Sequence, residues 1–133
     1  MLQYMLDTNI CIYVLNERPP TIARRFDRLA QSLCISSITL GELYYGVERS
    51  ELRAQNLAAL EALVGRIQML PFAGKAAAHY GEIRATLAAT GKQAGTHDML
   101  IGGHARSEGL IVVTNNEREF ARMPGVRVEN WLQ

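Results

Sequence analysis

The sequence lacks a long hydrophobic run, since none of its apolar stretches approaches the roughly 20 residues that a membrane-spanning helix needs. The amino terminus has no basic segment and meets an acid at Asp7, so we expect no secretory signal peptide. Cysteine is also scarce, and Cys11 and Cys34 form no CxxC pair. We therefore expect two reduced core thiols in a cytoplasmic protein with no membrane partner, and the pattern gives little support to a zinc site.

Excess charge of one sign is absent as well. The formal net charge is +1 at pH 7, so the chain has no overall basic field. Lys75 and Lys92 are the only lysines among 14 basic residues, and the remainder are arginines, whose planar guanidinium suits bidentate contact with phosphate. Arg24, Arg25 and Arg28 cluster on one predicted helix as candidate RNA contacts. A solvated charged face explains them slightly better.

The composition that is present suits one globular domain spanning residues 1–133. A chain of this length, with 48% hydrophobic residues, can bury a substantial core. Short apolar runs alternate with helical periodicities from end to end, without repeats or linkers. This alternation predicts an α/β fold, a single three-layer α/β/α domain with a mostly parallel central sheet. Strands are predicted at residues 4–6, 33–35, 68–70 at an edge, 110–114 in the interior and 126–128.

Helices are predicted between these strands. The Pro19-Pro20 pair should open the second helix, because proline is tolerated in a first turn. Glycines mark two further features: Gly91 is placed to end the helix over residues 75–89, and the Gly102-Gly103 pair indicates close backbone packing. Helices are also predicted to start near Glu51 and Thr96, and another to cover residues 39–48.

Acidic residues recur where predicted strands or loops lead into helices. Asp7 follows the first strand, at the sheet edge where open parallel α/β folds bind ligands. Glu42 follows the second strand, and Asp98 lies in the first turn of its helix. Each has a structural explanation: Asp7 can cap a helix, and the Thr39–Glu42 spacing fits a capping box in which Glu42 occupies the first turn. Converging acids would instead require a hard cation, Mg²⁺ or Mn²⁺.

Four motifs together resemble those of PIN-domain nucleases. Leu6-Asp7-Thr8-Asn9 resembles the opening motif, and residues 36–46, SSITLGELYYG, resemble the second-acid motif. Residues 97–105, HDMLIGGHA, and residues 112–120, VVTNNEREF, resemble the third and fourth. The resemblance covers the whole chain and is strongest to PIN-domain ribonuclease toxins of the VapC type from bacterial type II toxin–antitoxin systems, in their enteric branch.

The resemblance implies a set of site residues. Asp7, Glu42 and Asp98 match the acids that bind metal in that family. Many relatives have an aspartate where this chain has Asn116, so either Asn116 or Glu119 is expected to complete the catalytic site, with one or two metal ions. The expected water-orienting or supporting residues are Thr8, Asn9, Thr114, Asn115 and Asn116. His97 is adjacent to Asp98 but points about 100° away on a helix, so we expect it to contact RNA or to face solvent.

The resemblance also implies an activity and partners. The expected activity is that of an Mg²⁺- or Mn²⁺-dependent endoribonuclease, which cleaves RNA to leave 5′-phosphate and 3′-hydroxyl ends. The implied substrate is tRNA, in the enteric branch the anticodon stem-loop of the initiator tRNA. The implied partners are a second copy in a homodimer and a small cognate VapB-type antitoxin, whose helix lies in an apolar groove. Tyr44, Tyr45 and Val47 are candidates for lining that groove or for the core.

Two other functions stay open from the residues alone. An aspartyl-phosphate phosphotransfer domain would use Asp7 as its nucleophile, but Asn9 replaces the second acid of a D-x-D pair, and Lys75 and Lys92 are poorly placed to assist. A non-catalytic α/β interaction module would use its acids only as helix caps. Metal binding that depends on both Asp7 and Asp98 separates that module from a nuclease.

Overall fold

A five-stranded sheet lies at the centre of the fold. The structure is a computed structural model that describes residues 1–132. The strands lie in the order β3-β2-β1-β4-β5, and every neighbouring pair is parallel. The five predicted strands are confirmed to within one residue at each end, with β3 at an edge. Their bounds are β1 (Tyr4–Leu6), β2 (Leu33–Ser36), β3 (Gln68–Leu70), β4 (Ile111–Val113) and β5 (Arg127–Glu129).

Helices connect the strands. Pro20 occupies the first turn of the second helix, as predicted. Gly91 has φ +70° and follows the fifth helix, where Lys92 donates a backbone hydrogen bond to Leu87, which confirms the glycine-terminated end. The α-helices within residues 1–132 are α1 (Thr8–Asn16), α2 (Pro20–Leu29), α3 (Ser37–Glu48), α4 (Arg53–Val64), α5 (Gly74–Ala89), α6 (Thr96–Ser107) and α7 (Glu117–Ala121), and a 3-10 turn covers Ala30–Ser32.

The start of α3 differs from the prediction. The helix begins at Ser37, and Ser36 caps it by accepting a hydrogen bond of 3.1 Å from the Ile38 amide. Thr39 therefore lies inside the first turn, and the predicted capping box with Glu42 is wrong. Because Ser36 directly follows β2 and already supplies a cap, the helix starts early. Glu42 consequently lies in the second turn and is exposed.

The sheet separates two apolar cores, and side-chain direction alternates along each strand. In β1, Leu6 points into the core formed with α1 to α4, whereas Met5 points into the core formed with α5 to α7. Cys11 and Cys34 lie in opposite cores and are both fully buried, as expected of core thiols. Period-2 alternation of this kind builds the predicted three layers. Within residues 1–132, no helix is both long and apolar enough to cross a membrane.

Two helices of one outer layer, α5 and α6, approach each other closely at a glycine. A Cβ atom placed on Gly103 would lie 2.7 Å from the backbone nitrogen of Tyr80, a distance that real Cβ contacts do not reach. Gly102 is also crowded, but by the flexible side chain of Met123. The predicted close packing at the glycine pair is therefore confirmed, and it fixes α6 against α5.

The strand order places a crevice between β1 and β4. From β1 the chain builds β2 and β3 on one side, and then crosses to build β4 and β5 on the other. In parallel sheets, ligands bind outside the carboxyl ends of the strands at such a point of reversal. Asp7 follows β1 directly, and Thr114 follows β4. The fold therefore brings the beginning of the chain and the fourth motif together.

Candidate active site

Asp7 is held by hydrogen bonds at both carboxylate oxygens. Oδ1 accepts a bond of 2.8 Å from the Thr8 amide, and Oδ2 accepts one of 2.8 Å from the Thr114 hydroxyl. The backbone amide of Asp7 donates to the carbonyl of Val113, which extends the ladder between β1 and β4. Asp7 is 3% exposed. Asp7 caps α1, as predicted for a helix cap, and contacts at the end of β4 hold it in place as well.

Asp98, Asn116 and Glu119 form a cluster beside Asp7. Asn116 Nδ2 donates to Asp98 Oδ2 at 3.0 Å and to Glu119 Oε2 at 3.3 Å. The Gly95 amide donates a longer bond of 3.4 Å to the same oxygen of Glu119. The sequence left open whether Asn116 or Glu119 completes the site, and the structure brings both to Asp98.

Negative charge accumulates in this cluster. Burial, the hydrogen bond with Glu119 and the charges of Asp7 and Glu119 together raise the pKa of Asp98 to about 7, and Asn116 opposes the rise. The pKa of Glu119 is lowered, chiefly by its hydrogen bond with Asp98. Like charges in a partly buried site disfavour ionisation of one carboxyl group. The cluster therefore has an uncompensated negative potential that a bound cation would relieve.

His97 lies between Glu42 and the start of α1. Its Nε2 forms a hydrogen bond of 3.0 Å with the hydroxyl of Thr8, and its Nδ1 is 3.7 Å from Glu42 Oε1. The imidazole side chain is 31% exposed, and the carboxylate side chain of Glu42 is 51% exposed. His97 therefore does not simply face solvent. It connects α6, the helix that carries Asp98, to Thr8 at the start of α1 and to Glu42 on α3.

The predicted metal ligands are near one another but are not in a coordinating arrangement. Within residues 1–132, no three side chains of His, Cys, Asp or Glu are arranged to hold a metal ion. Glu42 is directed to His97, and Asp98 and Glu119 share a hydrogen bond instead. The donors are nevertheless oxygen atoms of carboxylate and amide groups, which hard divalent cations prefer. The set fits such a cation if Glu42 turns from His97.

The predicted supporting residues divide into two groups. Thr8, Thr114 and Asn116 contact the acids or His97. Asn9 is exposed and its side chain makes no hydrogen bond within residues 1–132, and Asn115 is directed away from the acids because its Nδ2 donates to the Tyr13 hydroxyl at 3.2 Å. The distinction between adjacent Asn115 and Asn116 depends on the backbone after β4, which sequence spacing does not show.

The arginine cluster on α2 is less free than its sequence indicates. The guanidinium of Arg25 lies 5.7 Å from the centre of the Trp131 ring, in a cation–π contact. Arg24 and Arg28 are exposed, and nothing in residues 1–132 forms an ion pair with any of the three. Asp27 pairs with Arg66 instead, at 2.8 Å. Contact of these arginines with RNA stays a prediction.

An apolar groove of about 250 Å³ lies between α1, α3 and α4. Of the three predicted lining residues, Val47 lines it, while Tyr44 and Tyr45 do not and instead expose 41% and 61% of their surface. Glu42 stands at the same groove. The remaining lining residues are Ile12, Leu15, Asn16, Leu43, Gly46, Asn56 and Ala59.

Sequence reasoning missed Gly95 as part of the site. None of the four sequence motifs includes this residue, which directly precedes α6. A Cβ atom on Gly95 would lie 3.8 Å from Asp98 Oδ2 and 3.8 Å from Glu119 Oε2, so the backbone passes against both carboxylates. A glycine three residues before an acid was the only available signal, and it is too common to be specific.

Comparison with known proteins identifies close relatives. The PIN domain family model matches residues 4–126. The chain is 52% identical over 132 residues to Ribonuclease VapC2 of Haemophilus influenzae, covering 99% of this chain and 100% of that protein. It is 50% identical over 131 residues to the tRNA(fMet)-specific endonuclease VapC of Shigella flexneri, covering 98% and 99%. The toxin chain in the DNA-bound VapBC structure from Salmonella typhimurium has a TM-score of 0.94 at 50% identity, covering 98% and 99%.

Proposed function

The chain belongs to the PIN-domain family, and on this premise we propose that it is a divalent-metal-dependent endoribonuclease toxin of a type II toxin–antitoxin pair. The observation that carries the proposal is the cluster of Asp7, Asp98 and Glu119 at the crevice between β1 and β4. Relatives about half identical to this chain over nearly its whole length are named as a ribonuclease and as a tRNA(fMet)-specific endonuclease. Residues 1–133 would form the whole nuclease domain.

The cofactor that the donor set fits is Mg²⁺ or Mn²⁺. PIN-domain nucleases generally depend on a divalent metal, and carboxylate oxygens favour these two ions. Asp7, Asp98 and Glu42 would hold the ion, with Glu119 or Asn116 completing the site. Such an ion supplies an activated water and stabilises the leaving oxygen in phosphodiester hydrolysis.

The other residues of the site hold the acids in place. The Thr8 amide and the Thr114 hydroxyl fix both oxygens of Asp7, so this carboxylate is pre-oriented. Asn116 orients Asp98 and Glu119 together through one amide group. Fixed geometry at Asp7, Asp98 and Glu119 lowers the reorganisation that a reaction requires. Glu42 lies 3.7 Å from His97 and would turn from it to reach the ion.

The proposed substrate is a tRNA. The Shigella flexneri relative is named for cleavage of tRNA(fMet), and this chain covers 99% of its length. We therefore assign the initiator tRNA as the first substrate to test, with cleavage in the anticodon stem-loop and ends of the 5′-phosphate and 3′-hydroxyl type. Cleavage there would inhibit translation and would place the protein in the cytoplasm.

The proposed partner is a small VapB-type antitoxin. The Salmonella typhimurium relative was solved as a VapBC complex. The groove between α1, α3 and α4 has an apolar lining that includes Ile12, Leu15 and Leu43, and it suits the apolar face of a helix. Because Glu42 stands at the groove, a basic antitoxin residue would reach the acids from there. The toxin would assemble as a homodimer, which light scattering can measure.

The structure disfavours the two alternatives. A phosphotransfer domain needs a nucleophilic Asp7 carboxylate, but both its oxygens accept hydrogen bonds, which lower their nucleophilicity, and Asn9 replaces the second acid of a D-x-D pair. A module whose acids only cap helices explains Asp7, but the Asp98 side chain caps no helix within residues 1–132, and Glu119 reaches only the amide of Gly95 before α6, at 3.4 Å. Grouped acids without a cap role destabilise the fold, and they are typical of functional sites.

A cleavage assay on total tRNA tests the proposal. Wild type and the Asp7→Asn variant are incubated with Mg²⁺, with Mn²⁺ and with EDTA. We expect discrete fragments only from wild type with a divalent ion, because the neutral amide binds a divalent cation more weakly than the charged carboxylate does. Lys75→Gln, on the exposed surface of α5, is the matched control. Equal cleavage by a folded Asp7→Asn variant would refute the metal site.

A further inference from the structure

A second cleft lies beside the acids, and its walls carry positive charge. It has a volume of about 250 Å³ and lies between α5 and the loop that leads into α6. Arg84 and Lys92 line it, and within residues 1–132 neither forms an ion pair with an acid. Gln93 and Thr96 add polar groups, and the lining is completed by Leu87, Ala88, Ala94 and Met99.

This basic cleft, defined by Arg84 and Lys92, continues directly into the candidate active site. Ala94 lines the cleft, and the next residue, Gly95, lies against the acids. The Gly95 amide donates to Glu119, and a Cβ on Gly95 would lie 3.8 Å from Asp98 Oδ2. A ligand that fills the cleft would therefore lie on the side of Gly95 next to the clustered carboxylates.

The loop between the cleft and the acids is held in place by a third cation. Arg122 Nη1 donates a hydrogen bond of 2.5 Å to the carbonyl of Gln93. The charge of Arg122 also contributes to the lowered pKa of Glu119, which places the guanidinium near that carboxylate. The cleft wall is therefore fixed to α7, the helix that carries Glu119. A fixed wall loses little conformational entropy when a ligand binds.

A phosphodiester approaching Asp7, Asp98 and Glu119 meets carboxylates. The net charge of +1 does not offset this local repulsion, so binding of a polyanion needs cations close to the acids. Arg84 and Lys92 form no ion pair within residues 1–132, although Arg84 donates a hydrogen bond of 2.6 Å to the Tyr80 hydroxyl and lies 6.0 Å from the centre of that ring. The basic cleft adjoins Gly95, whose backbone passes against two of the acids, so it supplies cations on that side of the site.

We propose that the basic cleft binds a phosphate of the RNA substrate's ribose–phosphate backbone, next to the phosphate that is cleaved. The inference rests on the proposed ribonuclease function and names the surface that holds its substrate. Arg84 would contact phosphate oxygens through its guanidinium, and Lys92 would act as a point charge. Such contacts carry no base specificity, and they position the strand so that the scissile phosphate lies at Asp98.

The test compares a double charge reversal with a matched control on the same helix. The double variant is Arg84→Glu with Lys92→Glu, and the control is Lys75→Glu, nine residues before Arg84 on α5. Lys75 is exposed, and its only ion pair, with Glu108 at 3.6 Å, lies at the surface. Cleavage of total tRNA is measured over a range of salt concentrations with Mg²⁺. Calorimetry with Mn²⁺ and circular dichroism check the metal site and the fold.

We expect KM for tRNA to rise about tenfold in the double variant, and the slope of log affinity against log salt to fall in magnitude by about 1, since one phosphate contact is lost. The value of kcat, Mn²⁺ binding and helix content should match wild type, and the control should show no change. Arg84→Lys with Lys92→Arg should restore binding. An unchanged KM and salt slope in the folded double variant would overturn the cleft assignment.

The experiments test the ribonuclease function and the phosphate-binding role of the cleft separately. If wild type cleaves no tRNA with Mg²⁺ or Mn²⁺, the ribonuclease assignment fails, and filter binding of the same tRNA in EDTA then decides the cleft. Binding by wild type that the double reversal weakens about tenfold supports a phosphate-binding cleft. Absence of binding by wild type overturns it, as does a double variant that loses kcat but keeps KM.

Discussion

The hydroxyl of Thr114 donates a hydrogen bond of 2.8 Å to Asp7 Oδ2, although 107 positions separate the two residues in the sequence. The bond exists because β1 and β4 are neighbours in the sheet, with Leu6 paired to Val113. The same hydroxyl accepts a bond of 2.9 Å from the amide of Asn116, whose side chain holds Asp98. Thr114 therefore holds Asp7 directly and holds Asp98 through Asn116.

Replacing Thr114 by valine should reduce activity and leave the fold intact. Valine keeps the shape of the side chain but removes the donor to Asp7 and the acceptor for Asn116. Loss of a supporting hydrogen bond of this kind lowers metal affinity or activity by about 10- to 100-fold. Cleavage rate and Mn²⁺ affinity are measured in parallel. Thr114→Ser keeps the hydroxyl and should stay near wild type, and equal losses in both variants would contradict the role assigned to this bond.

Asp98→Asn should lower activity and raise the stability of the metal-free protein. The neutral amide keeps the size of the side chain, and activity should fall at least about a hundredfold because a metal ligand is lost. Without metal, however, the raised pKa of Asp98 means that its charged form is disfavoured in the fold. Urea denaturation in EDTA at pH 8 should therefore show a higher midpoint for the variant than for wild type. A lower midpoint would show that the acid stabilises the metal-free fold.

Acid should destabilise the protein through His104. This side chain is 1% exposed, and its Nδ1 forms a hydrogen bond of 2.8 Å with Ser36, the cap of α3. Burial lowers its pKa, and the charge of Glu108 opposes this only in part. The unfolded chain then binds more protons than the fold, so stability present above about pH 6.5 is lost as the pH falls.

His104→Gln tests that pH dependence, because glutamine keeps a polar partner for Ser36 but does not titrate in this range. The free energy of unfolding is measured by urea denaturation from pH 8 to pH 5. We expect a cost of about 1 kcal/mol at pH 8 from the imperfect hydrogen bond, with a smaller decline toward pH 5 than in wild type. A parallel decline in both proteins would assign the acid sensitivity to other groups.

Gly103→Ala should destabilise the fold, whereas Gly81→Ala should not. The added methyl group at Gly103 would meet the Tyr80 backbone at 2.7 Å, so α5 and α6 would have to separate, at a cost of about 1–3 kcal/mol. Gly81 lies in α5 with open space around its Cβ position. Alanine there should stabilise by about 0.5–1 kcal/mol through helix propensity. Urea denaturation of both variants gives the comparison, and a neutral Gly103→Ala would mean that the helices can shift apart freely.

Local signals carried the prediction of the elements. The Pro19-Pro20 pair, Gly91 and the apolar run of β4 act within a few residues, and each was located correctly from the sequence. The start of α3 was misplaced because Ser36 and Thr39 are competing cap candidates. The choice between them depends on where β2 ends, which is set by pairing with its neighbouring strands.

The sequence predicted which residues belong to the candidate site better than it predicted how their side chains contact one another. Asp7 and Asp98 were expected near each other, and the structure places Asp98 where the charge of Asp7 raises its pKa. The contact of His97 with Thr8 spans 89 residues, and the interaction of His97 with Glu42 joins α6 to α3. Such contacts depend on the side-chain rotamers, which the apolar periodicity of the sequence does not specify.

The sequence by itself determined the order of strands and helices, the acids that follow them and the glycines at Gly91 and Gly103, because these depend on backbone preference and apolar spacing. Only the tertiary structure decided that β1 lies beside β4, that Asn116 and not Asn115 reaches Asp98, and that the basic cleft ends at Gly95. The physical reason is that these relationships join segments far apart in the chain. Their energies arise only when the sheet has assembled.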